Sequence, residues 1–463
     1  MKILITFFPL SSYGGIINNQ EGLYVGLKKL GHDVNVVLLE WKNKINAKAS
    51  SRRMLAIKGQ QGMYYDQDLG WIWPIEKRIP YKGTENIKHW KDFASKYDLI
   101  IWQVPVPTMS HVNFGNTDWL ELYNLPVKQI VYIHDGNLRT RAGQPGYPWL
   151  VEIRKHLCGV AAVHPCAYYS VEGLGLPRAL IFSPQMNINK RLNNTKYKDR
   201  EAGFMSLQTF KIWKRVDELI RAIPHMTGVE RKIVAGGGLY YHHMTSEKKG
   251  REKYRLTSRK WDFDIDKKYL GKPIWDVALL NGMEYIGYVH NKERDEILKK
   301  VRLLIDPSWS KYYSSIGDHP NRVVIDGIIC GCVPVARNLG ITTNEKGIGE
   351  FFKAGENYVM IPWNATPKRF GEIISDVVNM GKTRYESMLE AGRKLLPLYD
   401  YRTVAQSFID LSKGKPTGVY ENKGLCRYDP SLEKESQIFM ETFFAGCEKG
   451  SFESNSTPQN ILI

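Results

Sequence analysis

The stretch VRLLIDPSWSKYYSSIGDHPNRVVIDGIICGCVPVAR, residues 301–337, decides how the rest of the chain is read. Residues 301–305 are an apolar run with the length of a buried strand, and Asp306-Pro307-Ser308 breaks it. A polar, aromatic loop follows. Pro320-Asn321 then reads as a helix start with Asn321 as N-cap. Residues 322–330 are helical in pattern, and Gly331 is the natural stop. Val333-Pro334-Val335-Ala336 has the composition of the next strand. Strand, loop, short helix and strand make one βαβ unit, whose ligand edge is the loop at the strand's carboxyl end. The expectation is an α/β chain built on parallel sheets.

Two carboxylates punctuate that loop and helix, Asp318 just before the helix and Asp326 about one turn inside it. Ionised carboxylates accept hydrogen bonds only, which suits them to pairs of hydroxyls. The free N–H groups at Arg322 and Val323 favour a phosphate. A ligand with hydroxyls at both ends and phosphates between them satisfies both, and a nucleotide sugar is such a ligand. Two surface aspartates on an ordinary βαβ unit would show the same spacing. The residues also carry a resemblance. Acid-x7-acid followed by G-x-V-P-V resembles the E-x7-E donor motif of retaining glycosyltransferases of the GT-B fold, the family 4-like enzymes. This chain departs from it in having Asp at both acids and Asn321 at the loop glycine. The resemblance implies two Rossmann-like domains facing a cleft. It implies a UDP-sugar donor such as UDP-glucose, with Asp318 on the sugar hydroxyls and Asp326 on those of the ribose.

At 463 residues two domains are the natural expectation. A hydrophobic content of 43% fills cores well and excludes general disorder. The formal charge of +17 suits a polyanionic partner, nucleic acid or an anionic membrane surface. The six cysteines form no C-x-x-C pair, so neither a zinc site nor a disulfide framework is indicated. No apolar run reaches the ~18 residues of a spanning helix. The opening MKILITFFPL, followed by Gly14-Gly15 and a helical pattern, reads as a first strand rather than a signal peptide. A soluble, cytoplasmic, monomeric protein is expected.

Residues 2–8, a Gly-rich turn through Gly14 and Gly15, a helix over 18–30 and a strand over 34–39 open a doubly wound sheet. Further strands are expected at 98–103 and 127–133. The chain changes character over 182–200, giving boundaries of 1–187 and 188–385, which the resemblance makes an acceptor and a donor domain. The resemblance also implies that a helix at 386–413 returns to the first domain, and 414–463 is an extension with one helical patch near 432–444. A strand is expected at 205–209, followed by FKIWKRVDELIRAI with apolar residues at helical spacing. A cation at such a strand-to-helix turn reaches a diphosphate. W-K-R-V-D-x-L-I-x-A resembles the GT-B segment whose R-x4-K pair neutralises the leaving diphosphate. Lys214 matches the lysine, Thr209 stands where the arginine would be, and Lys211 is the substitute. Gly236-Gly237-Gly238 ends the next strand, either as a plain turn or at the nucleotide-facing edge.

Residues 42–58 carry six Lys/Arg and no acid, and residues 246–272 carry ten Lys/Arg against five acids with four interleaved aromatics. Such mixtures suit phosphate contact and base stacking, or else are solvated insertions. His134-Asp135 falls at a strand end, where residues face ligand. The pair either does acid–base or orienting work there or is a hydrogen-bonded cap. YIHDGNLRTR, DLIIWQVPVPT and ICGCVPVA together resemble the DNA α-glucosyltransferases of T-even phages. That resemblance implies transfer, with retention and without a metal, to a hydroxymethylated pyrimidine in double-stranded DNA in a host cytoplasm. His134 or Asp135 would then sit at the reacting centre beside Lys214 and Asp318. A cell-envelope glycosyltransferase acting on lipopolysaccharide or capsule would use the same donor motif. A nucleic-acid-binding protein on a decayed transferase fold is the non-enzymatic reading.

Overall fold

The structure is a computed structural model. It describes residues 1–7, 15–41, 63–66, 70–81, 83–103, 117–134, 148–163, 167–168, 171, 173–208, 214–236, 282–287, 289, 291–308, 322–337, 351–362 and 364–415. The chain divides into two compact units, Met1–Met186 with Leu398–Ile463, and Asn187–Pro397.

The first unit holds β1 (Lys2–Phe7), β2 (Asp33–Trp41), β3 (Met63–Asp66), β4 (Gly70–Tyr81), β5 (Leu99–Trp102), β6 (Lys128–Ile133), β7 (Gly159–Ala162) and β8 (Arg178–Leu180). They form an eight-stranded sheet in the order β3-β4-β2-β1-β5-β6-β7-β8. Only β3 runs antiparallel to its neighbour. The helices are α1 (Gly15–Lys29), α2 (Gly83–Ala94) and α3 (Pro148–Ile153). Parallel strands are covered on both faces, so they read as continuous apolar runs. Ile3, Leu4 and Ile5 are all fully buried, as are Leu99, Ile100 and Ile101.

The second unit holds β9 (Glu201–Gln208), β10 (Arg231–Gly236), β11 (Glu284–Gly287), β12 (Val301–Asp306), β13 (Val333–Arg337) and β14 (Val359–Ile361). Its six-stranded sheet, β11-β10-β9-β12-β13-β14, is parallel throughout. Around it lie α4 (Ile188–Arg191), α5 (Val216–Ala222), α6 (Asn291–Leu298), α7 (Arg322–Ile329), α8 (Pro367–Val378) and α9 (Lys382–Arg393). Helix α9 belongs here, and not to the returning segment, because Tyr385, Met388 and Leu389 join this unit's core.

The helix stops are legible in the sequence. At the end of α7, Gly331 takes φ +85, its N–H donates to Ile328 O and the Cys332 N–H donates to Gly327 O. Gly31 ends α1 with the same pair of bonds, to Lys28 and Leu27, at φ +82. Both are the left-handed cap that glycine adopts without strain.

The last described helix, α10 (Tyr401–Ser412), returns to the first unit and packs on α1. Asp400 caps it through the Arg402 N–H at 2.9 Å. Phe182 and Tyr399 stack at 4.7 Å, and Gln185 pairs with Asp400 as an isolated bridge. Gly26 sets how closely the two helices approach, since a Cβ there would lie 2.3 Å from Tyr401 O and 2.7 Å from the Ala405 Cβ. Among the described residues no helix is long and apolar enough to cross a membrane. Replacing that glycine, Gly26→Leu, forces α10 off α1 and should cost about 1–3 kcal/mol, as overpacking does. A lowered urea midpoint for the first unit, with an unchanged slope, checks it.

Candidate functional site

After β9 the second unit winds one way through β10 and β11, and β12 starts the run on the other side of β9. The winding therefore reverses between β9 and β12, and ligands of open parallel sheets bind outside the carboxyl ends of the strands at such a point. Buried polar groups meet there. Gln208 ends β9 and Asp306 ends β12. The Gln208 Nε2 donates to Asp306 Oδ1 at 2.9 Å, and the Ser308 N–H donates to the same oxygen at 3.1 Å. Gly236, one of the glycines picked out from the sequence, ends β10 at φ +111. A Cβ there would lie 2.0 Å from the Gln208 carbonyl oxygen, so the close approach of the two strand ends requires glycine.

Lys214, the expected diphosphate cation, lies half-buried two residues ahead of α5. Next to it Arg215 takes the left-handed φ of 47° and pairs with Glu218 in the first turn of the helix. Glu218 also takes Arg337, from the end of β13. Arg337 is 1% exposed, donates to Pro362 O at 2.8 Å and lies over the Phe370 ring at 5.5 Å. The edge is thus more cationic than Lys214 alone implies. Arg215 and Arg337 were not picked out as site residues from the sequence. The available signals were an arginine directly after Lys214 and another closing the strand VPVAR.

Leu303 and Ile305 of β12 face the core shared with α5 and α8, whereas Gly327 of α7 packs on Leu304, which faces the other way. Helix α7 therefore covers the opposite face of the sheet from α5. On it Asp326 is 1% exposed. Its Oδ1 accepts from Arg191 Nη2 at 2.5 Å, and its Oδ2 lies 3.0 Å from Arg294 Nη1. Asp295 holds both of those arginines, at 2.6 and 2.7 Å. Burial pushes the Asp326 carboxyl up, but the Arg294, Arg191 and Arg322 guanidiniums outweigh it and hold it below the usual carboxylate range. The sequence placed Asp326 on a ribose. In the structure its Oδ1 accepts from Arg191, whereas its Oδ2 is ion-paired with Arg294 but accepts no hydrogen bond among the described residues.

In the first unit the winding reverses between β1 and β5. Gln103 directly follows β5 and is fully buried, and His134 directly follows β6. The His134 Nε2 is 2.7 Å from Gln103 Oε1, and its Nδ1 is 3.1 Å from Nδ2 of Asn19 on α1. Gly15 is the first residue of α1. Gly14, Asp135, Thr209, Lys211, Gly237, Asp318 and Asn321 lie outside the described residues, as do the basic stretches 42–58 and 246–272 and the helical patch 432–444. Among the described residues no group of three or more His, Cys, Asp or Glu stands close enough to hold a metal ion.

No protein-family model matches the chain, and no curated protein matches it. Solved structures do. Alr3699/HepE of Anabaena in complex with UDP aligns over 89% of this chain and 100% of its own, with a TM-score of 0.59 and 14% identity. A glycosyltransferase of Rickettsia africae aligns over 89% and 98%, at 0.56 and 13%. The lipopolysaccharide outer core galactosyltransferase WaaB aligns over 89% and 99%, at 0.52 and 11%. Identities this low speak for the fold alone. The chain has the GT-B fold. Two wound parallel sheets, in this order and with α10 back on α1, are that fold's parts.

Two buried aspartates of the GT-B second unit separate by pH. Removing one partner of a buried ion pair leaves the others uncompensated, so Asp326→Ala should cost about 3–5 kcal/mol, read as a fall in urea-unfolding free energy at pH 7. Asp217 behaves oppositely. Burial pushes its carboxyl up to about 6, against the pull of Arg221. A raised folded-state value means stability fully present below the unfolded value of about 3.9 and lost as pH rises through 6. Asp217→Asn should flatten the stability profile between about pH 4 and 6. Asp326, whose carboxyl is depressed, contributes stability that is lost as pH falls through its folded-state value.

Proposed function

We propose that the chain is a retaining glycosyltransferase that moves a sugar from a UDP-sugar to a hydroxymethylated pyrimidine in double-stranded DNA. The carrying observation is that the winding of the second unit reverses between β9 and β12, the place where such sheets bind ligand, with Lys214 just ahead of α5 in the same unit. A GT-B protein solved with UDP supports the donor class. The formal charge of +17 supports a polyanionic acceptor, and the basic, aromatic segment 246–272 suits a duplex whose target base must be turned out of the stack.

The chemistry follows from charge. Breaking the glycosidic bond to a diphosphate leaves negative charge on the departing oxygen. Lys214 and the backbone N–H groups at the start of α7 are the groups to stabilise it. Asp318 holds hydroxyls of the sugar and Asp326 those of the ribose. The acceptor hydroxyl attacks the sugar on the face the diphosphate leaves, with His134 or Asp135 orienting it or taking its proton. No metal takes part, so a chelator leaves the rate unchanged. A second reading keeps the donor and changes the acceptor. The likeness to WaaB, a lipopolysaccharide galactosyltransferase, favours an envelope glycan.

A panel of labelled nucleotide sugars crossed with hydroxymethylpyrimidine duplexes and with lipopolysaccharide or capsule acceptors separates the two. Label in modified nucleosides, read by mass spectrometry, is expected. Label in the glycan fraction alone replaces the acceptor and keeps the transferase, while no transfer from any donor removes both readings. In the productive pairing Lys214→Ala should lower kcat by about 10²–10³-fold with little change in KM, as loss of a transition-state donor does.

A further inference from the structure

Two glutamine amides of the first unit are shut away from water without the hydrogen bonds that burial demands. Gln20 of α1 is 1% exposed, and among the described residues neither its Oε1 nor its Nε2 has a hydrogen-bond partner. Gln103, fully buried directly after β5, sets its Oε1 on the His134 ring at 2.7 Å and leaves its Nε2 unmet. An unmet buried amide group costs the fold more than a typical made bond returns, and an apolar side chain in its place carries no such cost. Groups of this kind call for a partner from outside the fold.

Both amides lie at one end of one face of the sheet. Leu23 and Leu27 stand one and two turns along α1 from Gln20, and both pack in the core with Ile3, Ile5, Leu99 and Ile101. Gln20 is therefore on the sheet-facing side of α1. That helix joins β1 to β2, which pair in parallel, so it runs back along them and its first turns stand over their carboxyl ends. Side chains alternate along β5, which puts Gln103 on the face of Leu99 and Ile101. The His134 ring ties the two places together, 2.7 Å from Gln103 and 3.1 Å from Asn19, the chain neighbour of Gln20. This is the end of the sheet at which the winding reverses between β1 and β5, where ligands of such sheets bind.

The unmet atoms define what they take. Gln103 offers N–H groups, and Gln20 offers both N–H groups and a carbonyl oxygen. A hydroxyl accepts from the first kind and donates to the second. Neither amide is charged, so neither offsets the burial of an ionised group such as a phosphate. We propose that Gln20 and Gln103 are specificity-determining residues of the first unit, whose unmet amide groups bind hydroxyl of the acceptor. The inference rests on the proposed function for calling that ligand the acceptor.

The full-length protein tests it in two arms that need no turnover. Gln20→Met keeps the length of the side chain and removes the amide, so the urea midpoint should rise with an unchanged slope. A midpoint that is unchanged or lower shows an amide used within the fold and overturns the proposal. The side-chain amide signals of both glutamines, identified by their loss in Gln20→Met and Gln103→Met, are followed by nitrogen-15 NMR as hydroxymethyldeoxycytidine, methyldeoxycytidine or methyl glucoside is added. Both signals should move with the hydroxymethyl nucleoside and not with its methyl counterpart. Movement with the glucoside alone keeps the hydroxyl site and makes its source a glycan. Movement with none of the three, or equal movement with both nucleosides, overturns the proposal. In the productive pairing Gln20→Met should raise the acceptor KM about 3–10-fold, as loss of one hydrogen bond between uncharged groups does, and leave the donor KM unchanged. An equal rise in both constants assigns Gln20 to the fold and overturns its role. If no donor is turned over at all, the function reading fails, and the unfolding and NMR arms still decide this one.

Discussion

Parallel strand pairing is the constraint on which both units depend. Two parallel strands cannot be joined by a hairpin, so each connection crosses over a face of the sheet, with a fixed hand. Helices then cover both faces, and strand interiors must be apolar on both sides. In VRLLID the polar Arg302 is only half-buried and donates to Val378 O at 2.9 Å, and the one acid waits until the strand's last residue. A sheet wound outward in both directions from its first strand has one place where neighbouring connections part. In the second unit that place collects Gln208, Asp306 and Ser308. In the first it falls between β1 and β5, with Gln103 directly after β5. The polar residues of each sheet are pushed to its ends because its middle has no room for them.

The buried charges of the second unit answer a different requirement. RVVIDGII is apolar on most of its circumference, so its hydrophobic surface alone does little to fix its rotation on the sheet. Asp326, between Arg191 and Arg294, does fix it, and buried polar groups of this kind serve specificity better than stability. The same principle accounts for Glu218 between Arg215 and Arg337, which ties the start of α5 to the end of β13. Cys332 below α7 is an ordinary packing residue. Burial pushes its thiol up to about 11, and its Sγ lies 3.0 Å from Leu298 O.

The parts of the fold legible in the sequence were those whose signal is local. Glycine stops, caps and unbroken apolar runs placed β1, β6, β12 and α7 to within a residue or two. The sequence did not announce β7, β8 or β14, which are three or four residues long and take their strand character from the neighbours they pair with. The start of β9 was placed four residues late, because EAGF is not apolar by itself and is strand only through pairing with β10 and β12. The glycine that ends β10, Gly236, was legible from the turn that follows the strand. Arg337, Gln208 and Gln103 were not, since each matters through a partner between 31 and 119 positions away.

The two switch points differ in electrostatic character, and the difference bears on what each unit is for. Among the described residues the first unit's edge sets the Asn19 and Gln103 amides against the two nitrogens of the His134 ring. Among the described residues the second unit carries the Arg215 and Arg337 guanidiniums and the Lys214 ammonium around the start of α5, with Glu218 pairing both guanidiniums. A neutral, directional edge discriminates between hydroxyl-bearing ligands by geometry but does little to stabilise developing negative charge. A cationic edge does the reverse, since a point charge is tolerant of orientation. Two separately wound sheets allow each edge to be tuned alone.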